Sequence, residues 1–308
     1  MKLISFVLPA YKATYLDQAI SSILNQSYEN WELLLVDDAS PENLQVIVDS
    51  FKDPRIKYYR NPKNIGGTDL VKQWNHSITF AEGEYIVLAA DDDIYHPNFL
   101  QTMVELSIKY PTVDIVRAKT SIINERNEVS ITDETITEYC SKHEFLYHWL
   151  RATIFTCIGN YMFKSTALKS KGFINFPSAF CSDAATAIMM AENGIANTDN
   201  VLFSFRISGI HLSSDRSQLD KKLIATTMFY RWLLDLRYEK PVEERDQFFF
   251  YENNTKYIQK KCLYDYYNQV IKYLPWYKFW KISQCELLSM RDKCITLGRF
   301  FHNKVFRR

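Results

Sequence analysis

The first 110 residues alternate short apolar runs with amphipathic stretches, and this alternation limits the fold more than any other feature. Residues 3–8 read as a buried strand ended by Pro9. Leu16, Ala19, Ile20, Ile23 and Leu24 then recur at helical spacing. Residues 31–36 form a second strand, stopped at Asp37-Asp38, and Pro41 opens a helix whose buried face is Leu44, Ile47, Val48 and Phe51. A third strand spans 56–59. Asn64-Ile65-Gly66-Gly67 is a loop, and a helix follows to about residue 81. After a Glu82-Gly83 turn, residues 85–90 form a fourth strand that ends in Asp91-Asp92-Asp93. Pro97 starts another helix, with Phe99, Leu100, Met103, Val104 and Ile108 on one side.

Short apolar strands alternating with helices predict an α/β fold with a mostly parallel sheet covered on both faces. Ligands of such sheets bind beyond the carboxyl ends of the strands, where this chain puts its acidic groups. Neither a Gly-x-Gly-x-x-Gly turn nor a phosphate loop ending in Gly-Lys-Ser/Thr is present. Three adjacent carboxylates repel one another and stay ionised together only if widely solvated or if a cation sits among them. Mg2+ and Mn2+ prefer carboxylate oxygens and share them with substrate phosphates. The plainer alternative makes Asp93 a cap for the helix near Pro97 and the other two solvated loop charges. The second acidic pair, on another strand end, favours a metal-nucleotide site.

Phe6-Val7-Leu8-Pro9-Ala10-Tyr11, residues 16–27 and Trp31-Glu32-Leu33-Leu34-Leu35-Val36-Asp37-Asp38-Ala39-Ser40 together resemble the opening of glycosyltransferase family 2. The likeness runs on through Asn64-Ile65-Gly66-Gly67 and residues 81–86 to Ala90-Asp91-Asp92-Asp93-Ile94-Tyr95-His96-Pro97. It implies the GT-A fold and a nucleotide-sugar donor, UDP-sugar first. It also implies that Pro9, Ala10 and Tyr11 line the base pocket and that Asp38 accepts a hydrogen bond from the uracil N–H. Gly67 and Lys72 would lie near the nucleotide. Aligning on Ile94-Tyr95-His96-Pro97 makes Asp92 the ligand of Mn2+ or Mg2+ and turns Asp91 toward the ribose or diphosphate. The other register pairs Asp91 with Asp93, so Asp93 remains a candidate ligand. Ala90 stands where the family usually has the first Asp.

The family also places a carboxylate base before a downstream helix. Phe180-Cys181-Ser182-Asp183 is the best match, with Ala184, Ala187, Ile188 and Ala191 at helical spacing and a stop at Gly194. Asp183 is read as the general base of an inverting single displacement, and an N-cap role would be compatible. Ser182 occupies the usual Glu position. In Phe205-Arg206-Ile207-Ser208, Ser208 replaces the usual His, and His211 is a further candidate metal or phosphate ligand.

From about 217 the sequence turns helical and aromatic, giving a GT-A domain over 1–216 and a C-terminal region over 217–308. Residues 255–308 hold twelve Lys/Arg against three Asp/Glu, so the first 254 hold 25 against 33. The overall net charge of +1 argues against a nucleic-acid partner. Trp276, Tyr277, Phe279 and Trp280, interleaved with Lys278 and Lys281, suit either an anionic membrane surface or packing on the domain or a second subunit. No run reaches the roughly 18 apolar residues of a membrane span. The expectation is therefore a cytoplasmic enzyme, peripheral at the membrane, acting on a glycan or lipid-linked acceptor. A degenerate transferase-like domain that only binds nucleotide or membrane is the alternative. A sugar nucleotidyltransferase would need a Gly-rich triphosphate loop after strand one, which Pro9-Ala10-Tyr11-Lys12 does not supply.

Overall fold

A computed structural model of the chain describes residues 1–209, 216–236 and 240–306. Its first half follows the alternation: β1 (Ile4–Ala10), α1 (Leu16–Leu24), β2 (Trp31–Asp37), α2 (Leu44–Ser50), β3 (Ile56–Arg60), α3 (Leu70–Ser77), β4 (Tyr85–Leu88), β5 (Ile94–Tyr95) and α4 (Phe99–Lys109). Next come β6 (Ile115–Ile123), β7 (Val129–Thr132), β8 (Tyr139–Cys140), α5 (Lys142–Arg151), β9 (Tyr161–Lys164), α6 (Ser165–Lys171), α7 (Ser182–Met190) and the long β10 (Ile195–Arg206). The C-terminal region contributes α8 (Leu219–Asp235), α9 (Glu244–Glu252), α10 (Thr255–Asp265) and α11 (Met290–Phe306).

The sheet runs β3-β2-β1-β4-β9-β6-β10-β5, with β7 and β8 paired at its margins. Its first four strands are parallel. Strand β9 is antiparallel to both β4 and β6, and β10 returns parallel to β6. Strand periodicity splits the core. Phe6, Leu8, Leu33, Leu35 and Val87 point to the face covered by α1, α2 and α4. Val7, Leu34, Ile86 and Leu88 point to the other, where they share one continuous core with α7, α8, α10 and Phe300 of α11.

Two expectations need correction. Pro9 does not end β1; it lies inside the strand, in register with Val36. The carbonyl of Val7 accepts from Ala89, so Val7 and Pro9 both turn their polar groups toward the β4 side. Strand β4 ends at Leu88, so the N–H that Pro9 lacks has no partner to lose there. Ile108, assigned to the buried face of α4, is 63% exposed. The helices near Pro41 and Pro97 start at Leu44 and Phe99, two or three residues beyond the prolines. No helix among the described residues is long and apolar enough to cross a membrane.

Candidate active site

The carboxyl ends of β1, β2 and β4 are joined by hydrogen bonds that lead from one candidate residue to the next. Both backbone amides after β1, of Tyr11 and Lys12, donate to Asp91 Oδ2 at 3.0 Å. The Tyr11 carbonyl accepts from Ser40 Oγ at 2.7 Å, and the Ala10 carbonyl accepts from the Asp38 amide. Pro9, Ala10, Tyr11, Asp38 and Asp91 are thus brought together, with the Tyr11 ring 40% exposed at the surface.

The two acids that end β2 have different work. Asp37 is sealed in the sheet, taking Tyr58 Oη, Arg60 and the Ser40 amide. Asp38 organises the Gly-Gly loop. Its Oδ1 accepts from Asn61 Nδ2 and the Ile65 amide, and its Oδ2 accepts from the Gly66 amide at 2.7 Å. A Cβ on Gly66 would lie 2.9 Å from Asp38 Oδ2 and 3.3 Å from Leu70. Gly66→Ala is therefore expected to push the Asp38 carboxylate aside and cost about 1–3 kcal/mol, read from urea unfolding. Gly67 is exposed, its amide bound to Asn64 Oδ1, and Lys72 stands exposed on α3. Neither side of that loop brings Lys72 into contact with the acids.

The acidic turn after β4 is half-buried to buried, and burial is the main cause that raises its carboxyls above the usual carboxylate range. Asp91 is pushed up by burial against the opposing pull of the Tyr11 and Lys12 amides. Asp92 is pushed up to about 7 by burial and then by the charge of Asp91. Asp93, 1% exposed, is raised furthest, by burial and by Asp92. Asp91 and Asp93 have their oxygens committed, Asp93 Oδ1 to the Arg206 amide at 2.9 Å. Asp92 bonds only its own amide among the described residues.

The brace of this turn is Arg206, the last residue of β10 and fully buried. Its Nε donates to the Asp92 carbonyl at 2.8 Å. Nη1 reaches the Asn124 carbonyl and Asn127 Oδ1, and Nη2 reaches Gln18 Oε1. The guanidinium also stacks 4.3 Å from the Tyr15 ring. In the sequence Arg206 is visible only as part of the Phe205-Arg206-Ile207-Ser208 stretch, with no sign of a bracing role; its partners lie 79 to 188 residues away.

No three His, Cys, Asp or Glu side chains converge on a point among the described residues. The donor set is instead one uncommitted carboxylate, Asp92, flanked by two bound ones. That suits Mg2+ or Mn2+, which take one or two carboxylates and fill the rest of their shell with phosphate and water. His211, the other expected ligand, lies outside the described residues.

Asp183 sits in the first turn of α7, not at its cap. Cys181 is the cap, with φ 66°, and Ser178 and Ala179 share the left-handed region at 60° and 54°. Three such residues in four cost roughly 1–2 kcal/mol each, so packing must hold the loop. Ser178 Oγ donates to Gln218 Oε1 at 2.6 Å, and Ser182 Oγ accepts from the Phe176 amide. Asp183 is pushed up to about 6 by burial, eased by the Ala184 amide and its own. Burial pushes the Cys157 thiol up, and the charges of Asp93 and Asp183 add to the rise.

Solved structures with this architecture include S. aureus TarS 1-349 in complex with UDP-GlcNAc, at TM-score 0.65, 16% identity and coverage of 97% of this chain and 89% of that one. The mannosyltransferase PcManGT from Pyrobaculum calidifontis, in complex with GDP-Man and Mn2+, gives TM-score 0.54 and 15% identity over 99% and 87%. These likenesses show the GT-A fold that the sequence resemblance implied. At the sequence level, 108 residues are 35% identical to the Escherichia coli UDP-Glc:alpha-D-GlcNAc-diphosphoundecaprenol beta-1,3-glucosyltransferase WfgD, covering 35% of this chain and 42% of that protein. The chain spans 31% to 42% of the length of such curated relatives. Residues 5–170, more than half of the chain, match the profile "Glycosyl transferase family 2". On that match the chain belongs to glycosyl transferase family 2.

Proposed function

We propose that this protein transfers a sugar from a UDP-sugar to a hydroxyl of a glycan or lipid-linked acceptor, with inversion and with help from Mn2+ or Mg2+. The observation that carries the reading is the pairing of two unlike carboxyl sites. One is the braced acidic turn with a single uncommitted carboxylate, Asp92. The other is Asp183, in the first turn of α7 and with only backbone amides as hydrogen-bond partners among the described residues. A donor diphosphate fits against the first and an acceptor hydroxyl against the second.

In this reading Asp38 Oδ2, which takes one donor, keeps a lone pair for the uracil N–H. The exposed Tyr11 ring flanks the base, and Asp91 holds the Tyr11-Lys12 backbone that shapes the pocket. Asp92 would hold the cation, which when bound supplies charge neutralisation at the diphosphate. Asp183 takes the proton of the acceptor hydroxyl as that oxygen bonds to the anomeric carbon. The carbon–oxygen bond to the diphosphate breaks, and the nucleoside diphosphate leaves with the electron pair. Attack opposite the leaving group inverts the anomeric centre. UDP as the base is supported by the UDP-GlcNAc and UDP-Glc of the relatives' names.

The test is a thermal-shift panel of UDP, GDP, dTDP and CDP, each with and without Mn2+. UDP is expected to raise the midpoint, and more with Mn2+, because a ligand of the folded state alone must stabilise it. Asp92→Asn is expected to keep the metal-free shift and lose the Mn2+-dependent increment. A midpoint unmoved by every nucleotide would overturn the reading and favour a degenerate domain.

A further inference from the structure

The aromatic stretch of the C-terminal region leaves most of its rings at the surface. Residues Trp276–Gln284 make short 3₁₀ turns interrupted by a kink at Lys278. Ile282, near the end of the stretch, is buried in the core. The rings before it stay outside: Trp276 is 67% exposed, Tyr277 58%, Trp280 49% and Phe279 42%. Phe279 meets Phe301 of α11 at 5.6 Å, and Phe301, 38% exposed, extends the face. With Trp276 against Tyr277 at 6.1 Å, five exposed rings within this short stretch and α11 form an apolar surface of the kind that marks an interaction site.

The surroundings are positive. Lys272 lies over the Tyr273 ring, Lys304 reaches the Lys272 carbonyl at 3.2 Å, and Arg299 stacks on Tyr267. Residues 255–308 carry twelve Lys/Arg against three Asp/Glu. We propose that this face docks on a bilayer surface bearing anionic headgroups. Trp and Tyr rings are amphipathic and settle at headgroup depth, where apolar body and polar edge are both satisfied. The surrounding cations meet lipid phosphates, each contributing within a Debye length of the surface. A second copy meeting this face with the same face would bring like positive charge together, whereas anionic headgroups complement it.

The position of the face adds a consequence that rests on the proposed transfer. Lys281 binds Asp220 at the start of α8 at 2.7 Å. Gln218, just before α8, holds Ser178 in the loop that leads to Asp183. The docking face is thus joined by two contacts to the loop of the proposed base, and a lipid-linked acceptor would be met at the same surface.

The experiment is sedimentation of the full chain with phosphatidylcholine vesicles, with and without phosphatidylglycerol. The chain is expected to pellet with the anionic vesicles and several-fold less with neutral ones. Trp276→Ser with Trp280→Ser should lower the bound fraction about tenfold or more. Lys272→Glu with Lys278→Glu should lower it several-fold, while both variants keep the wild-type melting midpoint. Absence of wild-type pelleting, or unchanged pelleting of the tryptophan variant, overturns the proposal. A concentration-dependent dimer, seen by light scattering and abolished by the tryptophan variant without vesicle binding, would assign the face to a second copy instead. Because pelleting is read without sugar transfer, this proposal and the transferase reading can fail separately.

Discussion

Asp183→Asn is expected to slow sugar transfer about a thousandfold while leaving the nucleotide-induced thermal shift in place. The magnitude is that of a lost general base. The Asn side chain keeps an oxygen for the Ala184 amide, so α7 should retain its first turn and the midpoint should hardly move. The pH profile separates a base from a structural group. Burial raises the Asp183 carboxyl to about 6. Below that pH it carries its proton and cannot accept another; above it the carboxylate is free to act. Wild-type turnover should therefore climb with pH and level off above about 6, and the residual activity of the variant should lack that limb. A variant that loses stability and keeps the limb would show Asp183 to be structural.

The second large effect concerns Arg206. Arg206→Met is expected to destabilise the protein by at least about 3 kcal/mol, measured by urea unfolding. The substitution removes the buried donor of four acceptors at once: the carbonyls of Asp92 and Asn124, Asn127 Oδ1 and Gln18 Oε1. It also removes the cation that opposes the rise of the Asp92 and Asp93 carboxyls. The Mn2+-dependent part of the UDP shift should disappear with it, since the turn would lose its fixed shape. Arg206→Lys should recover only part of the stability, because one ammonium cannot serve the directions of a guanidinium fork. Full recovery with Lys would mean that charge alone matters and that the hydrogen-bond fan does not.

The strands and helices of the first 110 residues were legible because β1 and β2, buried on both faces, read as continuous apolar runs, and α1 repeats its buried residues at 3.6. The acidic turn was legible for a related reason: charge that closes a buried apolar run marks the end of the strand. Arg206 was not legible, because its role depends on β10 returning beside β6 to reach Asp92, 114 residues away. The four-residue β9 slips between β4 and β6 in the opposite direction, and nothing in Tyr161-Met162-Phe163-Lys164 announces that. Pro9 misled for a local reason, since its missing donor matters only where a neighbouring strand is present to accept it. The loop before Asp183 was singled out by resemblance, while its left-handed run at Ser178, Ala179 and Cys181 has no Gly to signal it.

The Arg206 brace also imposes an order on synthesis. Asp93 leaves the ribosome 113 residues before the arginine that secures it, a gap of roughly ten seconds at ordinary elongation rates. During that interval β1 to β4 can pair, because their partners are already made, but the acidic turn has no cation to hold its shape. The nascent N-terminal half is thus a sheet whose acidic turn lacks its brace. Only when β10 closes the far side does that turn gain its fixed shape, so under the proposed function nucleotide capture waits until most of the sheet is built.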